Sequence, residues 1–211
     1  IYAHANCLAS PIATVVAPLH THRPVSRIHA VTYQSTSGAG KRSCDECWDE
    51  TKAVMNNTPF QRKHFSRQIA FNIIPQVGKM SEGGMTSEEF KIIHEVKKVV
   101  DQNLRIAATA VRVPVMIGHS IALSIEFQHP TSLEDVATIL GSAPSVTYLG
   151  ADYITPVEVV GSDDVWVCRV REDPSLDHGI HLWLCSDNLR RGAATDCVEI
   201  VEHLLSSHFH G

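Results

Sequence analysis

From residue 105 onward the chain repeatedly changes period, and this alternation constrains the fold more than any other feature. Arg105 to Met116, Ile121 to Phe127, Val146 to Leu149, Val165 to Val170 and Ile180 to Cys185 are short runs rich in β-branched and aliphatic residues, the pattern of strands. A helix lies between the second and third, opened by the capping-box pattern Thr131 to Glu134. The same pattern in Thr86-Ser-Glu-Glu89 opens a helix to about Val100, because the Thr hydroxyl and the Glu carboxylate can each satisfy an orphan N–H of the first turn. Upstream, Arg27 to Tyr33 reads as a strand, followed by the glycine-containing turn Ser37-Gly38-Ala39-Gly40 and a helix from Arg42 to Val54. Thr58 to Phe71 is polar and loop-like, leading into Ile69 to Ile74 and a stop at Pro75. Strands joined both by helices and by short turns predict an α+β fold, a mixed and largely antiparallel sheet packed with helices. No repeat, low-complexity tract or linker divides residues 1–211, so a single domain is expected.

Two further helices bracket this region. Ser10-Pro11 stands at the start of an apolar segment in which Ile12, Val15, Val16 and Leu19 fall at helical spacing, and Pro is well placed in a first turn. Arg191 to Leu205 is read as a helix carrying Ala194, Val198, Val201 and Leu205 on one stripe. The chain opens on Ile1 in what reads as ordered sequence, which suggests a processed or truncated product.

Composition narrows the function classes. Hydrophobic residues make up 44% and charged residues 19%, enough apolar material for a core. A net charge of -5 argues against nucleic acid, since nothing offsets phosphate repulsion. No apolar stretch reaches the roughly 18–20 residues of a membrane span, and no signal peptide is recognisable. Six cysteines spread over 211 residues are too sparse for a disulfide scaffold, so a reduced, cytoplasmic protein is expected. Of the 13 histidines, the terminal His208 and His210 read as a frayed end rather than a metal site.

The residues that could carry chemistry are individually weak signals. Cys7 would sit at a helix N-terminus, where the dipole favours a thiolate, yet a lone cysteine is more often a small core residue. The turn after Tyr33 is similar to a phosphate-binding loop, but Ser35 stands where that pattern needs glycine; its backbone N–H groups could still cradle an anion. Glu88 and Lys91 share one helical face. Arg112 and His119 would point to opposite faces of a straight strand, unless Pro114 and Gly118 end it or bulge it and bring both to one cavity. Cys44 and Cys47 form a Cys-x-x-Cys without a second ligand pair, so no metal site is expected.

Together these segments resemble the catalytic and dimerisation domain of bacterial aspartate-semialdehyde dehydrogenases, the C-terminal catalytic domain of glyceraldehyde-3-phosphate-dehydrogenase-like enzymes. The likeness runs through nearly the whole chain: Ala5-Asn6-Cys7, TYQSTSGAGK from Thr32, FNIIPQV from Phe71, TSEEFK from Thr86, ATAVRVPVMIGHS from Ala108, TPVEVVGSDDVWVCRVRED from Thr155, and LWLCSDNLRRGAA ending at Ala194. The resemblance implies reduction of L-aspartyl 4-phosphate to L-aspartate 4-semialdehyde and inorganic phosphate with NADPH, in the pathway to lysine, threonine and methionine. It implies Cys7 as nucleophile, His119 as acid/base and Gln34 as the residue orienting the intermediate. Arg112 would clamp the substrate carboxylate, Glu88 its ammonium and Lys91 its phosphate, with Asn6 beside them. Ser37, Gly38 and Asn188 would touch NADP, and two chains would form a homodimer.

The chain departs from that family in three places. No G-x-x-G-x-x-G dinucleotide fingerprint occurs, so the N-terminal NADP-binding domain is expected to be absent or truncated, and the chain alone to bind NADP weakly and to be inactive. Ile121 stands where the family usually has Glu, and Ala110 where Cys is common. A catalytically silent relative or stand-alone dimerisation domain of the same fold is the alternative. An N-acetylglutamyl-phosphate reductase is another, disfavoured because an acetylated amine gives Glu88 no charge to pair with.

Overall fold

The structure, a computed structural model, describes residues 2–209, with side chains to 207; the histidines at 208 and 210 lie outside the described side chains. Six strands form one sheet: β1 (Val25–Gln34), β2 (Arg105–Arg112), β3 (His119–Phe127), β4 (Val146–Tyr148), β5 (Val165–Glu172) and β6 (Gly179–Ser186). Their spatial order is β2-β1-β3-β6-β5-β4. The outer pairs β1–β2 and β4–β5 are parallel, and the three inner pairings are antiparallel. The sheet is therefore mixed and largely antiparallel, as the alternation of helices and turns requires: a parallel pair needs a long crossover, an antiparallel pair only a turn.

Five helices accompany the sheet: α1 (Ala9–His22), α2 (Lys41–Met55), α3 (Ser87–Val99), α4 (Leu133–Gly141) and α5 (Thr195–Phe209). The sheet's alternation sends Ile28 and Ala30, Ile121 to Ile125, and Ile180 to Leu184 at every second position into one core. There they meet Ile12, Val16 and Leu19 of α1, Ile92 and Val96 of α3, and Val136 and Leu140 of α4. The opposite face of the sheet, with Val31, Ala122 and Trp183, is only half covered.

Local chemistry sets several boundaries. The Thr86 box forms as read: its hydroxyl accepts from Glu89 N–H and the Glu89 carboxylate accepts from Thr86 N–H. The other Glu89 oxygen accepts from Ala110 N–H at 2.9 Å, tying α3 to β2. The second box is displaced by one residue from Thr131–Glu134; Ser132 is the cap and Asp135 its partner, since an Asp at the third position closes the same reciprocal pair. The expected C-terminal helix is broken. Arg191 to Ala193 leave helical geometry, with Gly192 left-handed at φ 78°, and α5 starts afterwards. Consequently Val198, Val201 and Leu205 are about half exposed; it is Ile200, His203 and Leu204 that turn toward α1. Cys47 belongs to a small second core with Ile69 and Ile74.

Candidate active site

Three adjacent strands end or begin at one edge of the sheet with a polar residue on the core side. Gln34 closes β1 and is in register with Arg112, which closes β2. His119 opens β3 and pairs with Ser186 at the end of β6. The segment between Arg112 and His119 reverses the chain, with Gly118 at φ 92° and no room for a Cβ beside Pro156. The strand ends instead of running straight, which brings Arg112 and His119 to one place. Their meeting point is Gly38: a Cβ there would lie 2.9 Å from His119 Nε2 and 3.0 Å from Arg112 Nη1. Only glycine leaves that space open.

Cys7 lies just before α1, above this edge. Asn6 is fixed by three contacts: its backbone N–H donates to Glu95, its side-chain amide donates to Glu88 Oε1 at 3.0 Å, and its Oδ1 accepts from Leu8 N–H at 2.9 Å. Behind Cys7 stands Gly192, where a Cβ would come 2.4 Å from Cys7 Cα. The clasp that holds Gly192 there is polar: Asp196 accepts from Gly192 N–H, from buried Arg191 and from Ser10. Lys91 pairs with Glu88 at 3.7 Å, half exposed. Thus Cys7, Asn6, Glu88, Lys91, Arg112 and His119 form one neighbourhood, whereas Gln34 keeps its amide on Thr32 Oγ1 at 3.2 Å.

Electrostatics alter the expectation for Cys7. Burial pushes its thiol up to about 12, Glu88 adds to the rise, and Arg112 and Lys91 oppose it. The helix N-terminus does not prevail here, because a desolvated thiolate beside a carboxylate is too unfavourable. Burial, and next Arg112, hold His119 down at about 3, so its ring is neutral near pH 7. Arg112 is itself lowered by burial, against the opposing pull of Glu88. Its Nη1 donates to the Ser35 carbonyl, and it faces a cavity of about 320 Å³ shared with His64, Ser66, Gln76 and Gly78.

Ser37, Gly38 and Asn188 all reach the site. Asn188 Oδ1 accepts from Ser35 Oγ, Ser37 Oγ and Gly118 N–H at 2.9–3.0 Å, so this oxygen holds the turn. Ile121 is a core residue and places no carboxylate near His119, while Ala110 binds Glu89 through its backbone. The sequence reading missed Ser35, which contacts His119 directly, and Gly192. A signal for the second was available: glycine inside an apparent helix marks a break or a close approach.

Comparison with known proteins identifies the family. The family described as Semialdehyde dehydrogenase, dimerisation domain, matches residues 16–191. The aspartate-semialdehyde dehydrogenase of Rickettsia bellii is 42% identical over 99% of the chain, and that of Bacillus subtilis 36% identical over 97%. A crystal structure of aspartate semialdehyde dehydrogenase II from Vibrio cholerae superposes with a TM-score of 0.94 at 38% identity, covering 97% of this chain and 62% of that one. A second structure of that enzyme is described as complexed with ASA. The chain spans about 63% of the length of the curated relatives it matches. With the mixed sheet and helices of those structures and a family match over most of its length, the chain belongs to the semialdehyde dehydrogenase dimerisation-domain family.

Proposed function

We propose that residues 1–211 form the catalytic and dimerisation unit of an enzyme that reduces L-aspartyl 4-phosphate to L-aspartate 4-semialdehyde and inorganic phosphate. The observation that carries this reading is the convergence of a cysteine, a neutral buried histidine, an arginine and a glutamate at one sheet edge. Cys7 sulfur attacks the acyl-phosphate carbonyl, the C–O bond to phosphate breaks, the thiol proton leaves with the phosphate, and a thioester results. Reduction to the aldehyde level gives a thiohemiacetal, which collapses to semialdehyde and thiol. Arg112 suits bidentate binding of the α-carboxylate, Glu88 the α-ammonium, and Lys91 the phosphate, with Asn6 fixing Glu88. Gln34 orients the intermediate without changing charge. His119 moves protons on and off the reacting oxygen. A bound substrate ammonium would neutralise the Glu88 charge that helps keep Cys7 protonated, so substrate and nucleophile activation are coupled.

NADPH, when bound, supplies the hydride. Ser37, Gly38 and Asn188 would face its reactive end, on the turn where Gly38 carries no side chain to collide with His119. The chain has no glycine-rich fingerprint for the pyrophosphate, so its own affinity for NADP is expected to be weak and its own turnover slight. A homodimer in the cytoplasm is the expected assembly and setting, on the family's description, six free thiols and the absence, among the described residues, of a helix long and apolar enough to cross a membrane.

The test is NADPH oxidation by aspartyl phosphate in a protein extended to the full length of the relatives. Cys7→Ser is expected to reduce turnover by about 10⁴-fold or more, as for other lost nucleophiles. Turnover that survives the substitution would overturn the assignment; an extended parent protein that does not turn over at all would favour the second reading, a silent relative, for which the protonated resting state of Cys7 is the supporting observation. Activity on N-acetylglutamyl phosphate instead would contradict the role given to Glu88.

A further inference from the structure

The least expected atom of the site is His119 Nε2. It is buried and has no hydrogen-bond partner among the described residues, an arrangement that costs free energy unless a ligand completes it. The other ring nitrogen is fully engaged. Ser35 N–H donates to Nδ1 at 3.0 Å, and Ser35 Oγ lies 3.0 Å from the same atom. A backbone N–H can only donate, so Nδ1 must be the acceptor and carries no proton. Turning the ring over would set a carbon against Ser35 N–H, so the contact also fixes the ring's orientation. Ser35 is held in turn: its hydroxyl donates to Asn188 Oδ1, which also binds Ser37 and Gly118, the residue preceding His119. The charged group that acts on the ring is Arg112 from β2; Ser35, Gly38 and Asn188 carry none.

We propose that Ser35 is a positioning residue that locks resting His119 in the Nε2–H form, so that the ring meets the substrate carbonyl oxygen first as a hydrogen-bond donor. This rests on the reading of the site as an acyl-phosphate reductase and deepens it. The donor lies beside Gly38, where any side chain would collide with the ring, and a hydrogen bond from it strengthens as the carbonyl oxygen gains charge. With its lone pair on Nδ1 and its proton on Nε2, resting His119 is a hydrogen-bond donor at that atom and has no lone pair there for the thiol's proton. Burial and Arg112 favour the same neutral state. The lock is the turn Ser35-Thr36-Ser37-Gly38 closed by Asn188, which assigns Asn188 and Ser37 to the geometry of His119 as well as to any cofactor.

Long-range ¹H–¹⁵N correlation spectra of the 211-residue chain test the tautomer without any assay, with His119 assigned by its loss in His119→Gln. A pyridine-type Nδ1 and a pyrrole-type Nε2, unchanged from about pH 5 to about pH 8, are expected, although free imidazole titrates in that range. A pyrrole-type Nδ1, or an imidazolium form in that range, overturns the proposal. Ser35→Ala keeps the N–H and is expected to keep the tautomer; a change there would transfer the lock from the amide to the hydroxyl and also overturn it. In the extended protein, His119→Gln places an amide N–H near the Nε2 position and His119→Asn near Nδ1. The Gln variant is expected to retain at least about tenfold more kcat, within the range by which one oxyanion donor acts. Equal losses would show a base at work. Should Cys7→Ser leave turnover intact, the acyl-phosphate reading falls while the spectra still decide the tautomer.

Discussion

At Cys7 the first turn of α1, Arg112 and Lys91 favour a thiolate, while burial and Glu88 favour the thiol and prevail. Burial is the larger cause, and the Glu88 carboxylate is the part of the balance that a substitution can remove. Glu88→Gln removes a negative charge beside the sulfur, lowers the thiol's pKa and raises the thiolate fraction at a given pH. In iodoacetamide labelling at about pH 8, exposed Cys197 is expected to react faster than Cys7 in the parent chain, and Cys7 in Glu88→Gln severalfold faster than in the parent. Equal Cys7 rates in the two chains would remove Glu88 from the account. Residue identities at this site were legible in the sequence, since Cys7, Glu88, Arg112 and His119 do meet. Their protonation was not. It depends on which groups face one another once α1 and α3 close over the sheet, and position in a helix alone pointed the wrong way for Cys7. Ser35 escaped notice because its contribution to His119 comes largely through a backbone N–H, which every residue but proline possesses.

At the scale of elements, α2 supports the long loop between Asn57 and Thr86 through two buried carboxylates. Glu46 accepts from the backbone N–H groups of Lys63, His64 and Phe65 at 2.8–3.0 Å. Glu50 accepts from Ile69 and Ala70 N–H and from Arg62. The loop carries His64, Ser66, Gln76 and Gly78 over the cavity that Arg112 faces, so these carboxylates set the mouth of the site. Burial pushes Glu46 up, but the three N–H donors outweigh it and leave the carboxyl below its ordinary range. A folded-state value below the unfolded one means stabilisation that is complete above the unfolded pKa of about 4.3 and is lost as pH falls through the folded value. Amide exchange at Lys63, His64 and Phe65 is therefore expected to accelerate below about pH 4. Glu46→Gln, which keeps the shape and removes the charge, should cost about 1–2 kcal/mol at neutral pH and abolish that acid step; an unchanged pH profile would show that the loop is held by other contacts. The polar character of this loop was readable, but its anchoring was not. Glu46 and Glu50 stand one turn apart on an amphipathic helix, where exposed carboxylates are the ordinary expectation. Nor could pattern alone place the second capping box to the residue, because Thr131-Glu134 and Ser132-Asp135 both satisfy it.

For the molecule as a whole, the half-covered face of the sheet calls for a partner. Helices α1, α3 and α4 cover one side. On the other, Val31 and Tyr33 of β1, Ala122 of β3 and Trp183 of β6 are half-buried among short or polar neighbours, and Tyr33 packs on Trp183 with ring centroids 5.2 Å apart. A largely apolar hollow of about 550 Å³ opens there, bounded by Tyr153, Ile154 and Pro156. A central antiparallel sheet with one face packed and the other apolar is stable when a second layer closes it, and the family is described by dimerisation. We place the two-fold contact on this face, where a self-complementary patch of roughly 800 Å² per partner would suffice for a stable dimer. Ala122→Arg puts a charge at the centre of the patch on a side chain that points away from the helices. Sedimentation at micromolar concentration is expected to show a dimer for the parent chain and a monomer for Ala122→Arg, with far-UV circular dichroism unchanged because the core side of β3 is untouched. A variant that stays dimeric would move the interface to another surface. The outcome bears on the site as well. His119 begins the strand on which Ala122 lies, and Gly118, before it, is held against Pro156 at the rim of this hollow. Pairing through this face would thus brace the turn that brings His119 to Arg112, and loss of the dimer should loosen the site without any change to its residues.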